Sequence, residues 1–252
     1  MEADDLDVYD IDGTLTFPGH DLWYLATRNL SADKDLFDTY VAEWKREIQN
    51  SVKPFQCSLL MMKRGLKVLK SDVSSETIAD EVQRITINLI DQGLVSREAI
   101  AFLQSRIRNG VAAVFSTTNY QEGAVGFLHA LLLRGWLQQT ELERICLSGS
   151  IIDWNRRLVL HFNMGRNKVI GLLGALKISE EVLKSRISFV FADDPLGSDR
   201  TLLEIAPHPY VIRNEKNRNL SFPHRIRLIT WSDVKELSIS KIAELHTDSP
   251  DQ

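Results

Sequence analysis

The chain has 252 residues, 44% of them hydrophobic and 25% charged, enough to bury a sizeable core. A net charge of −4 and an isoelectric point near 5.9 leave no overall basic footprint and speak against a general nucleic-acid binder. Its two cysteines, Cys57 and Cys146, lack metal-ligand spacing, which argues against a disulfide framework or a zinc site and fits a reducing, cytoplasmic setting; neither a signal-peptide pattern nor a membrane-length apolar run is present.

Leu6 to Ile11 is the apolar run a buried strand needs, and Gly13 ends it. Asp10 and Asp12 stand at its end with one residue between them. An extended chain projects both carboxylates to the same side of the C-terminal sheet edge, where open α/β folds bind ligands. Two like charges held that close call for a cation or a proton between them. A hard divalent metal, a nucleophile and an acid are therefore expected in one place.

Far more chain separates Asp10 from Ser116 than one crossover helix needs, so a segment is inserted there. Phe17 to about Val95 carries helical periodicity: Leu36, Phe37, Tyr40, Val41 and Trp44 form one stripe, and Ile78, Val82, Ile85 and Leu89 another. Ser74 and Ser75 mark a helix start, with Glu76 and Asp80 following. Met61 to Lys70 sets Lys63, Arg64, Lys67 and Lys70 along an apolar-backed segment. A solvated helix face is the plainer reading of these charges. An electropositive lip for a phosphate ester, or a weak contact with anionic lipid headgroups, is the sharper one. His20 and Trp23 receive no role. Arg97 to Arg108 is the predicted helix leading back to the sheet.

Val111 to Phe115 reads as a buried parallel strand that delivers the Ser116 hydroxyl to the same edge, followed by a helix from Gln121 to Arg134. Arg144 to Ser150 and Leu158 to Phe162 then form a hairpin pattern around Asp153. Gly165 marks a turn, and Val169, Ile170, Leu172, Leu173 and Leu176 announce a helix with Lys168 in its first turn. A cation is unfavourable at the positive end of a helix dipole unless it faces anions. Ile187 to Ala192 is another apolar strand, and it ends in Asp193 and Asp194, with Asp199 further along the loop. Such acids serve either as helix caps or, paired with Asp10 and Asp12, as a shared cation site. The polar tail from about Thr247 is expected to fray.

The run Asp10-Ile11-Asp12-Gly13-Thr14-Leu15-Thr16, followed in order by Ser116, Lys168 and the acids of residues 193–199, resembles the four motifs of the haloacid dehalogenase-like hydrolases, most of which are Mg2+-dependent phosphatases. The helical insertion and the hairpin before Lys168 resemble its phosphoserine-phosphatase-like branch. The resemblance covers about residues 6–215 and implies an α/β fold: a doubly wound, Rossmann-like parallel sheet from residues 1–16 and 96–252, with an inserted helical cap at 17–95.

The same resemblance implies roles. Asp10 would be the nucleophile that forms an aspartyl-phosphate, and Asp12 the general acid and base. Ser116, Thr117 and Lys168 would bind phosphoryl oxygens. Mg2+ would be held by Asp10, the backbone carbonyl of Asp12, and Asp193 or Asp194, with Asp199 orienting the metal shell. Asp193 stands where the family usually has glycine, which leaves the choice between the two neighbours open, narrowly in favour of Asp193. The expected activity is hydrolysis of a small-molecule phosphomonoester. A non-catalytic module that binds a phosphorylated ligand or a protein, and a phosphotransferase using the same intermediate, are the alternatives. No cap pattern selects an amino-acid, sugar or lipid phosphate, and the oligomeric state is not legible.

Overall fold

The computed structural model describes residues 5–49, 51–223 and 225–234; the polar tail from Thr247 lies outside them. The elements in chain order are β1 (Leu6–Tyr9), α1 (Leu22–Leu30), α2 (Lys34–Gln49), α3 (Pro54–Val68), α4 (Ser75–Asp91), α5 (Arg97–Arg108), β2 (Ala112–Tyr120), α6 (Gln121–Leu133) and α7 (Gln139–Leu142). They continue with β3 (Ile145–Asp153), β4 (Leu158–His161), α8 (Arg166–Leu176), α9 (Glu180–Arg186), β5 (Ile187–Ala192), α10 (Arg200–Ile205), β6 (His208–Ile212), β7 (Arg227–Ile229) and α11 (Trp231–Val234).

The strands form one seven-stranded sheet in the order β4-β3-β2-β1-β5-β6-β7, parallel except for β4, which closes the hairpin with β3. This is the doubly wound α/β sheet expected from the sequence. β1 is central, with β2 on one side and β5 on the other, so the winding changes direction at β1. A crevice opens at the strand carboxyl ends where such a change occurs. In register, Tyr9 lies beside both Phe115 and Phe191, which brings the next residues of all three strands to one edge.

Alternation along β1 splits the core between the two faces of the sheet. Leu6 and Val8 pack with Val114, Val190 and Val211 beneath Val169, Leu172, Leu183 and Leu203 of α8, α9 and α10. Tyr9 turns the other way and stacks on Phe191 at a centroid distance of 5.2 Å, and Phe191 in turn meets Trp231 at 4.9 Å. Asp7 shares that second face. It is fully buried and bound by Arg106 of α5 through two hydrogen bonds of 2.7 and 3.1 Å, because a charge inside a core must be paired.

The chain leaves the sheet at Leu15–Phe17 and returns at Leu94–Ser96, where Thr16 and Val95 form an antiparallel bridge flanked by bonds from Phe17 N to Leu94 O and from Ser96 N to Leu15 O, each 2.9 Å. The regular elements described in the intervening segment are the four helices α1–α4, as its periodicity predicts. Ser74 caps α4, its hydroxyl accepting from Thr77 N at 3.2 Å, and the stripe Ile78, Val82, Ile85 and Leu89 is buried. These helices share their apolar core with the sheet layer: Met62, Leu66, Ile78 and Val82 join the cluster that contains Phe115, Tyr120 and Phe127. α4 runs against α6 at Gly126, where a Cβ would come within 2.9 Å of Gln83 N. A smaller cluster of Phe37, Val41, Met61 and Val68 holds α2 and α3 together. On α3, Arg64 pairs with Glu43 at 3.1 Å and lies over the Tyr40 ring, while Lys63 and Lys67, and Lys70 just beyond the helix, are exposed.

Several strand boundaries differ from the sequence reading, that of β2 most. β2 does not stop at Phe115 but continues to Tyr120 and passes directly into α6. Beyond Ser116 the register against β3 shifts, and Tyr120 pairs with Ser150. β-branched Thr117 and Thr118 suit the extended chain, so the hydroxyl-rich stretch that looks like a turn is strand.

Candidate active site

Asp10 is the first residue after β1. Its N–H donates to Phe191 O of β5 at 2.9 Å, and only 7% of its surface is exposed. The chain then coils tightly: Ile11 C=O accepts from Leu15 N at 2.9 Å and Thr16 N at 3.0 Å, while Gly13, at φ +79°, donates to Thr16 Oγ1 at 3.1 Å. Trp231 Nε1 ties this coil to the core through Thr14 O at 2.8 Å. The coil carries Asp12 to the start of α1, where Leu22 N donates to Asp12 Oδ1 at 2.8 Å. Burial pushes the Asp12 carboxyl well above the usual range, and the nearby Asp21 charge pushes it further, against the opposing effect of that backbone bond.

Lys168 is the third residue of α8, and its side chain is fully buried. Nζ donates to Asp10 Oδ1 at 2.8 Å, to Ser116 O at 3.2 Å, and to Asp199 Oδ1. Burial alone would push its ammonium down; Asp10 and Asp199 more than reverse this, so Lys168 stays charged. Burial also raises Asp10, with Lys168 pulling it down and Asp199 pushing it up, to about 7. The cation that looks unfavourable at a helix start is thus held by two carboxylates.

The loop after β5 separates its three acids. Asp193 and Asp199 approach Asp10 so that one carboxylate oxygen from each lies within 4.8 Å of the others. Burial raises Asp193, and the charges of Asp10, Asp199 and Asp194 raise it further. Asp194 is exposed and turns away: its Oδ2 accepts from Ser198 N at 2.8 Å, closing the turn that ends at Asp199. Of the five sequence-selected acids, Asp10, Asp193 and Asp199 come together, Asp12 lies beside them at the α1 terminus, and Asp194 braces the loop. Three converging oxygens with a single buried ammonium suit a hard divalent cation, and the residues present therefore fit Mg2+.

Ser116 lies next to Asp10 across the β1–β2 pair, fully buried, and its Oγ has no hydrogen-bond partner among the described residues. An unpaired buried hydroxyl is unfavourable, so this one is a donor awaiting an acceptor. Thr117 Oγ1 is occupied as an acceptor from Asn119 N at 3.0 Å. Asn163, fully buried, joins β2 and β3 just before α8: its Nδ2 donates to Thr117 O at 2.8 Å and Ser148 O at 2.9 Å.

Two residues with no role in the sequence reading reach the site. Asn214, after β6, donates from Nδ2 to Asp193 Oδ2 at 3.1 Å, and Asn217 donates to Asp193 O at 3.0 Å. The signal was available in kind, since Tyr210-Val211-Ile212 is one more apolar strand with polar residues soon after its end. What it lacked was the sheet order, which alone sets β6 beside β5.

No protein-family model matches the chain, and no curated protein matches it by sequence. Solved structures do. Cytosolic 5'-nucleotidase IIIB, solved with cytidine, superposes with a TM-score of 0.65 at 12% identity, over 97% of this chain and 87% of that one. A Bordetella pertussis protein of unknown function gives 0.61 at 15% identity over 90% and 98%. Phosphoserine phosphatase from T. onnurineus gives 0.55 at 12% identity over 94% and 96%. At such identities the likeness is one of fold. The chain has the haloacid dehalogenase-like fold of phosphoserine-phosphatase type, as the four motifs imply. Among the described residues, no helix is long and apolar enough to cross a membrane.

Proposed function

We propose that this protein is a Mg2+-dependent phosphatase that hydrolyses a small-molecule phosphomonoester through an aspartyl-phosphate on Asp10. The observation that carries the reading is the fully buried Lys168 ammonium shared between Asp10 and Asp199 beside the unpartnered Ser116 hydroxyl.

In this reading the Asp10 carboxylate attacks phosphorus, and the bond to the leaving oxygen breaks. Asp12, whose carboxyl burial raises above the usual range, gives its proton to that oxygen, then takes one from the water that cleaves the acyl-phosphate. Leu22 N occupies Asp12 Oδ1 and leaves Oδ2 to carry the proton. Lys168 and Ser116 hold the phosphoryl oxygens, with Thr117 shaping the strand next to them. Asp10, the Asp12 carbonyl, Asp193 and Asp199 would hold Mg2+, and Asp194 is left to the turn it closes. When bound, the cation neutralises charge on the phosphoryl oxygens. Helices α1–α4 would act as the cap over residues 17–95, and the two free cysteines accord with a reducing, cytoplasmic setting.

The test is Mg2+-dependent phosphate release from a panel that includes an aryl phosphate, 5'-nucleotides, phosphoserine and sugar phosphates. It is paired with rapid acid quench to trap phosphate on the protein. Turnover together with labelling that disappears in Asp10→Asn is the expected result. Silence across the panel, with phosphate still bound, would replace the enzyme by a binding module, and transfer to an added alcohol in preference to water would make it a phosphotransferase.

A further inference from the structure

The loop after β6 is built around two buried asparagines whose amide oxygen and nitrogen atoms each make a hydrogen bond. Asn217, 1% exposed, accepts from Asn214 N at 2.8 Å through Oδ1 and donates through Nδ2 to Ile212 O at 2.8 Å and Asp193 O at 3.0 Å. Asn214, 8% exposed, accepts from Lys216 N at 2.9 Å and Asn217 N at 3.1 Å through Oδ1. These bonds fix the orientation of both amides, because swapping O and N would set donors against donors. Asn214 Nδ2 is thereby forced outward onto Asp193 Oδ2, 3.1 Å away. The Asp193 carboxylate also lies against Gly13, where a Cβ would meet Oδ2 first and come within 2.7 Å of Cγ. Its Oδ1 receives no hydrogen bond among those the described residues make to Asp193.

We propose that Asn214, braced by Asn217, is a positioning residue for Asp193: it occupies Oδ2, fixes the plane of the carboxylate and presents Oδ1 to the divalent cation. The inference rests on the proposed cation site. Braced donors of this kind orient metal-binding carboxylates, and losing one typically lowers metal affinity about ten- to a hundredfold. Asn217 makes the arrangement stiff by joining the β6 loop to the backbone of Asp193 itself. A free-standing asparagine on a surface loop would lose that precision to side-chain rotation.

The experiment is calorimetric titration of the full chain with Mg2+ alone, without substrate, for the native protein and for Asn214→Ser and Asn214→Thr. Both substitutions keep a side-chain oxygen for the turn and are too short to reach Asp193. The expected result is a dissociation constant for Mg2+ raised about ten- to a hundredfold in both variants. Turnover at saturating Mg2+ should stay within about threefold of native, with a melting temperature close to native in metal-free buffer. A native Mg2+ affinity in either folded variant would overturn the proposal, as would failure of the native chain to bind Mg2+. An equal loss of turnover at saturating Mg2+ would also overturn it, since the defect would then lie in the chemistry and not in cation capture. Because the titration contains no substrate, a chain that binds Mg2+ but hydrolyses nothing would sink the phosphatase reading and leave this test intact.

Discussion

Lys168 Nζ and Asp10 Oδ1 meet at 2.8 Å although the two residues are 158 apart in the chain. β1 ends at the centre of the sheet and delivers Asp10; the first turn of α8, on one face of that sheet, delivers Lys168. The pair is buried on both sides and closed by Asp199. The nucleophile candidate is therefore held at one oxygen, which fixes its plane before any substrate arrives.

Asp12→Asn tests the acid. The amide still accepts from Leu22 N, so the fold should survive, but it has no proton to give. Hydrolysis of an alkyl phosphate should slow by about two to four decades, the usual size of a general acid/base effect. An aryl phosphate with a nitrophenol leaving group should lose less in the first step, because phenolate departs without protonation. Equal loss on both substrates, measured as single-turnover phosphorylation of Asp10, would remove Asp12 from the acid role.

Gly13→Ala tests the close approach of the first-motif coil to Asp193. Alanine at φ +79° is strained by roughly 1–2 kcal/mol, and its Cβ would lie within 2.7 Å of Asp193 Cγ, so the carboxylate has to move. The variant should fold with a lower melting temperature and require more Mg2+ for half-maximal activity. A native Mg2+ requirement would show that the glycine serves the turn alone.

Much of this site can be read from the chain because its parts stand at strand ends that are themselves legible. Ile187–Ala192 and Arg97–Arg108 have the expected bounds, and Asp10, Ser116, Lys168 and Asp199 each follow a clear apolar run or turn. Asp193 and Asp194 are the instructive pair. Two adjacent acids cannot be ranked by type, and only the turn closed by Asp194 on Ser198 separates them. Asn214 and Asn217 were hidden for another reason: their partner lies across a parallel strand pair, and neighbour relations in a parallel sheet come from topology, not from local periodicity. The sharing of one apolar core between the inserted helices and the sheet was equally invisible, since a helical stripe records that a face is buried but not against what.

Metal-free stability should fall as pH rises from about 5 to 7. Asp10 titrates near 7 in the folded chain, above its ordinary 3.8, because of burial, and burial also raises Asp12 and Asp193. Between those values the folded state holds protons that the unfolded state has released, so raising the pH favours unfolding; the contribution is full below the ordinary carboxylate range and gone above the folded value. Melting in chelator across this range should show the decline. Mg2+ should flatten it, because the cation stabilises the ionised carboxylates. Asp10→Asn should remove part of the slope, and a slope unchanged by that substitution would assign the effect to other groups.

Lys168→Met leaves Asp10 and Asp199 buried without their shared cation. Removing one partner of a buried ion pair typically costs about 3–5 kcal/mol, and each kcal/mol moves the melting temperature of a domain of this size by about 2–4 °C. A drop of roughly 6–20 °C is therefore expected at pH 8 in metal-free buffer. The drop should shrink at pH 5, where Asp10 can take up a proton and no longer needs the ammonium. Added Mg2+ should recover part of it at pH 8 by supplying charge to the same carboxylates, while turnover stays lost because a phosphoryl-oxygen donor is missing. If the substitution lowers the melting temperature equally at both pH values, the loss is one of packing, and the Lys168 ammonium is not what keeps Asp10 and Asp199 ionised.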